Sequence, residues 1–77
     1  MITAIAIAYH GPNGTKGAHW SARAPGYERK SYARQEVDEY RDVQRVAGEY
    51  ARDVMGVQGD ILEVFSIGNR FIALIGA

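Results

Sequence analysis

Few side chains in this sequence could carry out nucleophilic or acid–base chemistry. It contains two histidines and no cysteine, which excludes disulfides, thiolate metal sites and cysteine nucleophiles. A serine nucleophile needs a neighbouring histidine oriented by a carboxylate, and the local sequence around Ser21, Ser31 and Ser66 sets no such geometry. The separation of His10 and His19 matches no usual metal-ligand spacing. We therefore predict a non-enzymatic protein with no metal and no cofactor.

A glycine-rich segment at residues 11–17, Gly-Pro-Asn-Gly-Thr-Lys-Gly, invites comparison with phosphate-binding loops. Such loops place backbone amides at a helix N-terminus with a lysine in reach. Here the spacing differs from the P-loop pattern, and the residues that follow are typical of a strand. We interpret the segment as a flexible hairpin loop, with an anion site formed by Lys16 and backbone amides as the alternative.

The charges are unevenly distributed, although nine basic residues balance nine acidic ones. Residues 1–35 contain five basic residues and one acidic residue, whereas residues 36–77 contain four and eight. In the first half, the basic residues are accompanied by Trp20, Tyr27 and Tyr32. This half supplies the predicted partner-binding residues, which are Lys16, His19, Trp20, Arg23, Arg29, Lys30 and Arg34.

Three interpretations of this basic half stay open. Basic residues interleaved with aromatic rings can hold a nucleic-acid backbone while the rings stack on bases. The zero net charge is unlike that of most nucleic-acid modules, so a solvated or internally paired surface and an acidic protein partner are the alternatives. The acidic face of the predicted helix could mimic nucleic-acid phosphates, but interspersed arginines weaken its field and favour simple solvation.

The elements that would position these residues follow from periodicity. Residues 2–9 and 70–75 are apolar on both faces, as in covered strands, and residues 17–24 and 60–67 are also typical of strands. Gly68-Asn69 predicts a two-residue hairpin turn. Residues 28–34 fit a third strand or the start of the helix, and we favour the strand. A helix over residues 36–55, ended by Gly56, presents one apolar stripe: Val37, Tyr40, Val43, Ala47, Tyr50 and Val54.

The predicted fold is a single α+β domain over residues 1–77, an antiparallel β-β-β-α-β-β sheet with one amphipathic helix packed on one face. One helix covers one face only, so we expect the second face to be buried in a homodimer or against a partner. No segment approaches the ~20 apolar residues of a transmembrane helix, and the N-terminal apolar run lacks the features of a signal peptide. We therefore expect a cytoplasmic protein that does not bind a membrane.

The opening part of the chain contains Tyr9-His10-Gly11-Pro12-Asn13-Gly14-Thr15-Lys16-Gly17, followed by Ala18-His19-Trp20-Ser21-Ala22. This opening resembles a family of very small proteins from phages, plasmids and bacterial genomes. That family shows Tyr-x-Gly-Pro-x-x-Thr-Arg/Lys-Gly, then strands, a helix ending near Leu-Gly and a C-terminal strand. Here Met55-Gly56 stands at the Leu-Gly position, and Tyr40-Arg41 replaces the family's usual Asn-His.

The resemblance implies a mobile-element protein and carries over no activity and no functional residue. Small phage proteins of this size and build often act by binding, including as anti-CRISPR or other anti-defence inhibitors. The resulting hypothesis is a binding protein that docks on a host protein or protein complex in the host cell cytoplasm. Direct nucleic-acid binding by the basic, aromatic N-terminal hairpin is the alternative.

Overall fold

The computed structural model describes residues 1–11, 18–37 and 39–76, which form a five-stranded antiparallel sheet and one helix. This confirms the predicted α+β class and the β-β-β-α-β-β order. Residues 28–34 contain a strand followed by a 3-10 turn. The elements in chain order are β1 (Ile2–His10), β2 (His19–Arg23), β3 (Lys30–Ala33), the 3-10 turn Arg34–Glu36, α1 (Tyr40–Tyr50), its π-helical continuation Ala51–Met55, β4 (Asp60–Ile67) and β5 (Arg70–Gly76).

The sheet has the strand order β3-β2-β1-β5-β4, with β1 in the centre. All four strand pairs are antiparallel, and the β4–β5 hairpin turns at Gly68, whose φ of +60° is a conformation that glycine adopts without strain. Among the described non-glycine residues, none has a positive φ. Asn69 therefore has a negative φ, as a type II′ turn requires. The chain passes from one edge strand, β3, to the other, β4, through the helix.

The helix packs against one face of the sheet and buries a continuous core there. From the sheet come Ile5, Ile7, Ala22, Ala73 and Ile75, all at most 1% exposed. From the helix come Val43, Val46, Ala47, Tyr50 and Ala51, all at most 2% exposed. Burying each of the larger aliphatic side chains contributes about 1.5–3 kcal/mol, so this one interface carries much of the stability.

The predicted start of the helix at Glu36 is wrong, because the helix begins at Tyr40. Glu39 is its N-cap, and the backbone amide of Glu39 donates a 3.0 Å hydrogen bond to Oδ2 of Asp42. Such a reciprocal cap satisfies an amide that would otherwise lack a partner at the helix terminus. The preceding 3-10 turn is closed similarly, since the Ala33 amide donates to Oε2 of Glu36 at 2.7 Å. The apolar periodicity is continuous over residues 36–55, but these local hydrogen bonds separate a 3-10 turn from the helix.

The predicted stop at Gly56 is confirmed. Gly56 has a φ of +70°, the left-handed conformation in which glycine commonly ends a helix, and the amides of Gly56 and Val57 both donate to the carbonyl of Ala51, that of Val57 at 3.0 Å. The apolar stripe also differs in detail. Val46 and Ala51 belong to it, whereas Tyr40 is 53% exposed and donates its hydroxyl proton to the Val64 carbonyl at 3.0 Å.

Candidate anion-binding face

The second face of the sheet is not covered by the helix, and we call it the open face. Strand register places its residues in rows across the sheet. One row runs Ser31, Ser21, Ala8, Arg70, Ile67, and the next runs Arg23, Ala6, Ile72, Phe65. His19 and His10 pair at one end of the face, and Ala4, Leu74 and Glu63 form a row toward the other. Because paired residues of an antiparallel sheet point to the same side, these side chains share one surface.

One half of the open face is apolar and exposed. Ile67 is 64% exposed, Ile2 63%, Leu62 54% and Phe65 43%, and Ile72 and Leu74 lie half-buried beside them. Leu62 joins this surface through a β-bulge between Ile61 and Glu63. Exposed apolar side chains that cluster in this way mark interaction surfaces more often than scattered ones do. We call this group of six residues the apolar half.

The other half of the open face is basic and surrounds a cavity of about 370 Å³. The short side chains of Ala6 and Ala8 on the central strand leave this space, and longer polar side chains rise around it. We call this the basic half. The residues lining the cavity are Ala6, Ile7, Ala8, His10, Ser21, Arg23, Arg29, Arg70 and Ile72.

Three of these residues are arginines whose charges are not neutralised locally. The ion pairs in the described ranges join Lys30 to Asp53, Arg41 to Glu39 and Arg45 to Glu49, so none of them involves a cavity arginine. Guanidinium groups present several fixed donors and stay charged at all accessible pH values. Their convergence on one cavity makes this part of the surface suited to an anion.

A serine and a histidine complete the polar lining. Nε2 of His10 lies 2.6 Å from Oγ of Ser21, which is only 2% exposed. The His10 ring stacks on that of His19, with ring centroids 5.2 Å apart. A hydrolytic triad would also need a carboxylate bonded to the histidine, and in the described ranges His10 has no such partner. The pair is therefore suited to binding an anion by hydrogen bonding.

The helix holds the loop that carries Arg29 and follows Arg23. The Tyr50 hydroxyl accepts a 3.1 Å hydrogen bond from the Ala24 amide and donates a 2.6 Å hydrogen bond to the Glu28 carbonyl. Tyr50 is fully buried, and burial raises the pKa of its phenol. The neutral Tyr50 hydroxyl, which both donates and accepts, thus ties together the two ends of the turn between β2 and β3. Arg23 and Arg29 flank this turn.

The predicted partner-binding residues are separated by the strand alternation. His19 and Arg23 lie on the open face, and Arg29 reaches the same cavity. Trp20 lies on the helix side, with its ring centroid 5.1 Å from that of Tyr9 and 5.8 Å from that of Phe71.

The remaining predicted residues lie elsewhere. Lys30 is on the helix side of the sheet and pairs with Asp53 at 3.3 Å. Arg34 is exposed in the 3-10 turn. Lys16 lies outside the described residues, as do all residues of the predicted loop over residues 11–17 except Gly11.

Sequence reasoning missed Arg70, His10 and Ser21 as site residues. Arg70 is distant in sequence and belongs to the acidic half of the chain, so the charge count gave no signal for it. The alternation of β1 could have grouped His10 with Ala8 and Ala6, and that of β2 could have grouped Ser21 with His19 and Arg23. The pairing of β1 with β5, which brings Arg70 opposite Ala8, was not readable from either strand alone.

The helix side shows a different electrostatic character. Tyr32 is 5% exposed, and its hydroxyl has no hydrogen-bond partner among the described residues. Burial, together with the nearby carboxylates of Glu49, Asp53 and Glu36, raises its pKa to about 12. Carboxylates thus surround Tyr32 on the helix side, whereas the ion pairs of the described residues leave the three cavity arginines of the open face unpaired.

No group of three or more potential metal ligands occurs within the described ranges. None of the helices in that part of the chain has the length and apolarity needed to cross a membrane. Comparison of the chain with protein-family models, with curated proteins and with solved structures gave no match.

Proposed function

We propose that this chain is a small non-enzymatic binding protein that docks on a partner protein through the open face of its sheet. The observation that carries the proposal is the juxtaposition on that face of an exposed apolar half and three arginines that form no ion pair within the described ranges. An apolar centre bordered by charge is the usual composition of a protein interface. Arginine and phenylalanine, represented here by Arg70 and Phe65, are enriched in such surfaces.

The side chains of the open face favour a protein partner over a nucleic acid. Bases stack on aromatic rings, but Trp20 and Tyr32 face the helix, and the apolar half is mostly aliphatic. Aliphatic side chains such as Ile67 and Leu62 gain by burial against other apolar groups. We infer a partner whose surface presents apolar residues beside an anionic group. A host complex of the kind that phage-borne inhibitors bind is the first partner to test.

Affinity capture from a bacterial lysate treated with nuclease tests this proposal. The wild-type chain is compared with an Arg23→Glu/Arg70→Glu variant and with a matched Arg34→Glu/Arg52→Glu variant, which reverses two exposed arginines outside the cavity lining. We expect a stoichiometric protein to be retained by the wild type and the matched variant and lost from the open-face variant. Equal retention by all three folded proteins would refute docking through this face.

Nucleic-acid binding is the second candidate, and the unpaired guanidinium groups of the basic half are the observation that favours it. Its signature is an affinity that falls steeply with salt, because each phosphate contact releases counterions. A titration with single-stranded and duplex DNA at two salt concentrations distinguishes it. Weak binding that varies little with salt excludes nucleic-acid binding. A steep salt dependence that is lost in Arg23→Glu/Arg70→Glu would instead favour nucleic-acid binding over docking on a protein.

A further inference from the structure

We propose that the cavity in the basic half is a binding site for a phosphate monoester group. Its lining includes Arg23, Arg29 and Arg70, and none of the three has an ion-pair partner in the described ranges. Like charges gathered around one cavity repel each other, and an anion between them converts that repulsion into attraction. The arrangement is therefore more stable with an anion bound than without one.

Ser21 and His10 supply the neutral part of the site. A hydroxyl can accept one hydrogen bond while donating another. When Nε2 of His10 donates to Oγ of Ser21 across their 2.6 Å separation, the hydroxyl proton is available to an oxygen atom in the cavity. The Ser21 side chain is fixed in position, because the residue is buried in the sheet at 2% exposure.

The number of donors favours a phosphate monoester over a carboxylate. A carboxylate carries one negative charge and is satisfied by one bidentate guanidinium. A monoester carries a charge of about −1.5 to −2 at neutral pH and has three acceptor oxygens. Three guanidinium groups exceed that charge, and together with a serine hydroxyl they supply donors for all three acceptor oxygens. The cavity volume of about 370 Å³ also leaves room for part of the organic group attached to the phosphate.

This inference deepens the proposed function and rests on it in taking the open face as the binding surface. It adds the chemical identity of the group that enters the basic half. That group belongs either to a phosphorylated side chain of a partner protein or to a small phosphate ester. The two sources share the same chemistry at the cavity and are distinguished by the probes below.

Titration with inorganic phosphate at constant ionic strength, followed by NMR shifts or calorimetry, tests the site. We expect saturable binding that chloride does not reproduce. Arg70→Gln and Arg23→Gln should each weaken it about tenfold or more, because each removes a charge-assisted hydrogen bond. The matched control is Arg34→Gln, which changes an arginine outside the cavity and should bind as the wild type does. Shifts equal to those with chloride, or equal in all variants, would overturn the inference.

Ester probes define the ligand class. Phenyl phosphate should bind more tightly than dimethyl phosphate, since the diester carries one charge and has fewer free oxygens. Equal binding of the diester contradicts the monoester assignment. A phosphoserine peptide and a sugar phosphate then represent the two sources of the phosphate group. The probe that binds more tightly than inorganic phosphate shows whether the group comes from a phosphorylated side chain or from a small phosphate ester. Binding of neither overturns the proposal.

A variant of the apolar half separates this inference from the proposed function. Phe65→Ser shortens an apolar side chain of the docking surface without adding a charge beside the cavity arginines, so it should weaken capture of the partner protein and keep the phosphate affinity. If the wild type captures the partner protein but does not bind phosphate, the cavity assignment alone is refuted. Phosphate binding without any captured partner refutes docking alone.

Discussion

The Oγ atom of Ser21 lies 2.6 Å from Nε2 of His10, although the two residues are separated by 11 positions in the chain. They belong to neighbouring strands, with Ser21 opposite Ala8 and His10 opposite His19. Their contact is therefore diagonal across the β1–β2 hairpin, within the reach of long side chains. It places a buried hydroxyl at the edge of a cavity whose lining includes three arginines, which is why we interpret this part of the sheet as an anion site.

Replacing Tyr50 by phenylalanine tests the link between the helix and the β2–β3 loop. The change removes both hydrogen bonds of the hydroxyl, to the Ala24 amide and the Glu28 carbonyl. We expect a loss of about 1–3 kcal/mol in the free energy of unfolding, because a buried amide loses its partner. Urea denaturation measures it, with Tyr27→Phe as the control at an exposed tyrosine. Equal stability of the two variants would contradict the proposed role.

Replacing Tyr32 by phenylalanine should alter stability at alkaline pH. In the folded protein its pKa is about 12, against 10.0 for an ordinary tyrosine. Folding favours the neutral phenol. The contribution of Tyr32 to the free energy of unfolding is therefore complete below pH 10 and is lost as the pH rises toward 12. The slope from one such group is at most about 1.4 kcal/mol per pH unit.

Between pH 10 and 12, we expect the free energy of unfolding to fall less steeply in Tyr32→Phe than in the wild type. At neutral pH the variant should lose no stability, because the hydroxyl is buried without a partner among the described residues. Urea denaturation at a series of pH values measures both quantities. Part of the alkaline loss should remain in the variant, since burial also raises the pKa of Tyr50. An unchanged slope would show that Tyr32 does not titrate as described.

Glycine-to-alanine changes at two helix positions should have opposite signs. A Cβ at Gly48 would have no neighbour within 4 Å, so Gly48→Ala should stabilise the protein by about 1 kcal/mol through helix propensity. Gly56 has a φ of +70°, so Gly56→Ala should destabilise it by a similar amount. Thermal or urea unfolding compares them. Stabilisation by both changes, or by neither, would contradict the described backbone.

The homodimer remains a prediction as the alternative to a partner protein, and it would use the same apolar half. Light scattering over a range of concentrations should show a mass that rises toward two copies. Ile67→Asp, which places a charge on a side chain that is 64% exposed, should return the mass to one copy with a change in stability within about 0.5 kcal/mol. Gln44→Asp on the exposed side of the helix is the matched control. A single-copy mass at every concentration excludes the dimer.

Much of the fold could be predicted because local rules and the global arrangement agree. The alternation of β1, the hairpin turn at Gly68 and the stop at Gly56 each follow from a few neighbouring residues. The start of the helix could not be predicted in the same way. Apolar spacing continues from Val37 to Tyr40 across the cap at Glu39, and the hydrogen bonds at Glu39 and in the preceding 3-10 turn depend on backbone geometry.

The candidate site was predictable in part. Charge density and strand propensity pointed to Arg23, Arg29 and His19 in the basic N-terminal half. The same density also pointed to Trp20 and Lys30, which the two-residue period of the strands directs toward the helix. Grouping by charge along the chain ignores this alternation, so it combined residues from both faces of one sheet.

The sequence by itself determined the α+β class, the strand and helix order and the presence of a second apolar face, because each depends on periodicity within a single element. The tertiary structure alone decided which charges meet. Arg70 joins Arg23 and Ser21 because β5 pairs with β1, and that pairing brings together residues almost fifty positions apart. Strand order is set by how whole elements pack on a shared core, and no local pattern around Arg70 records it.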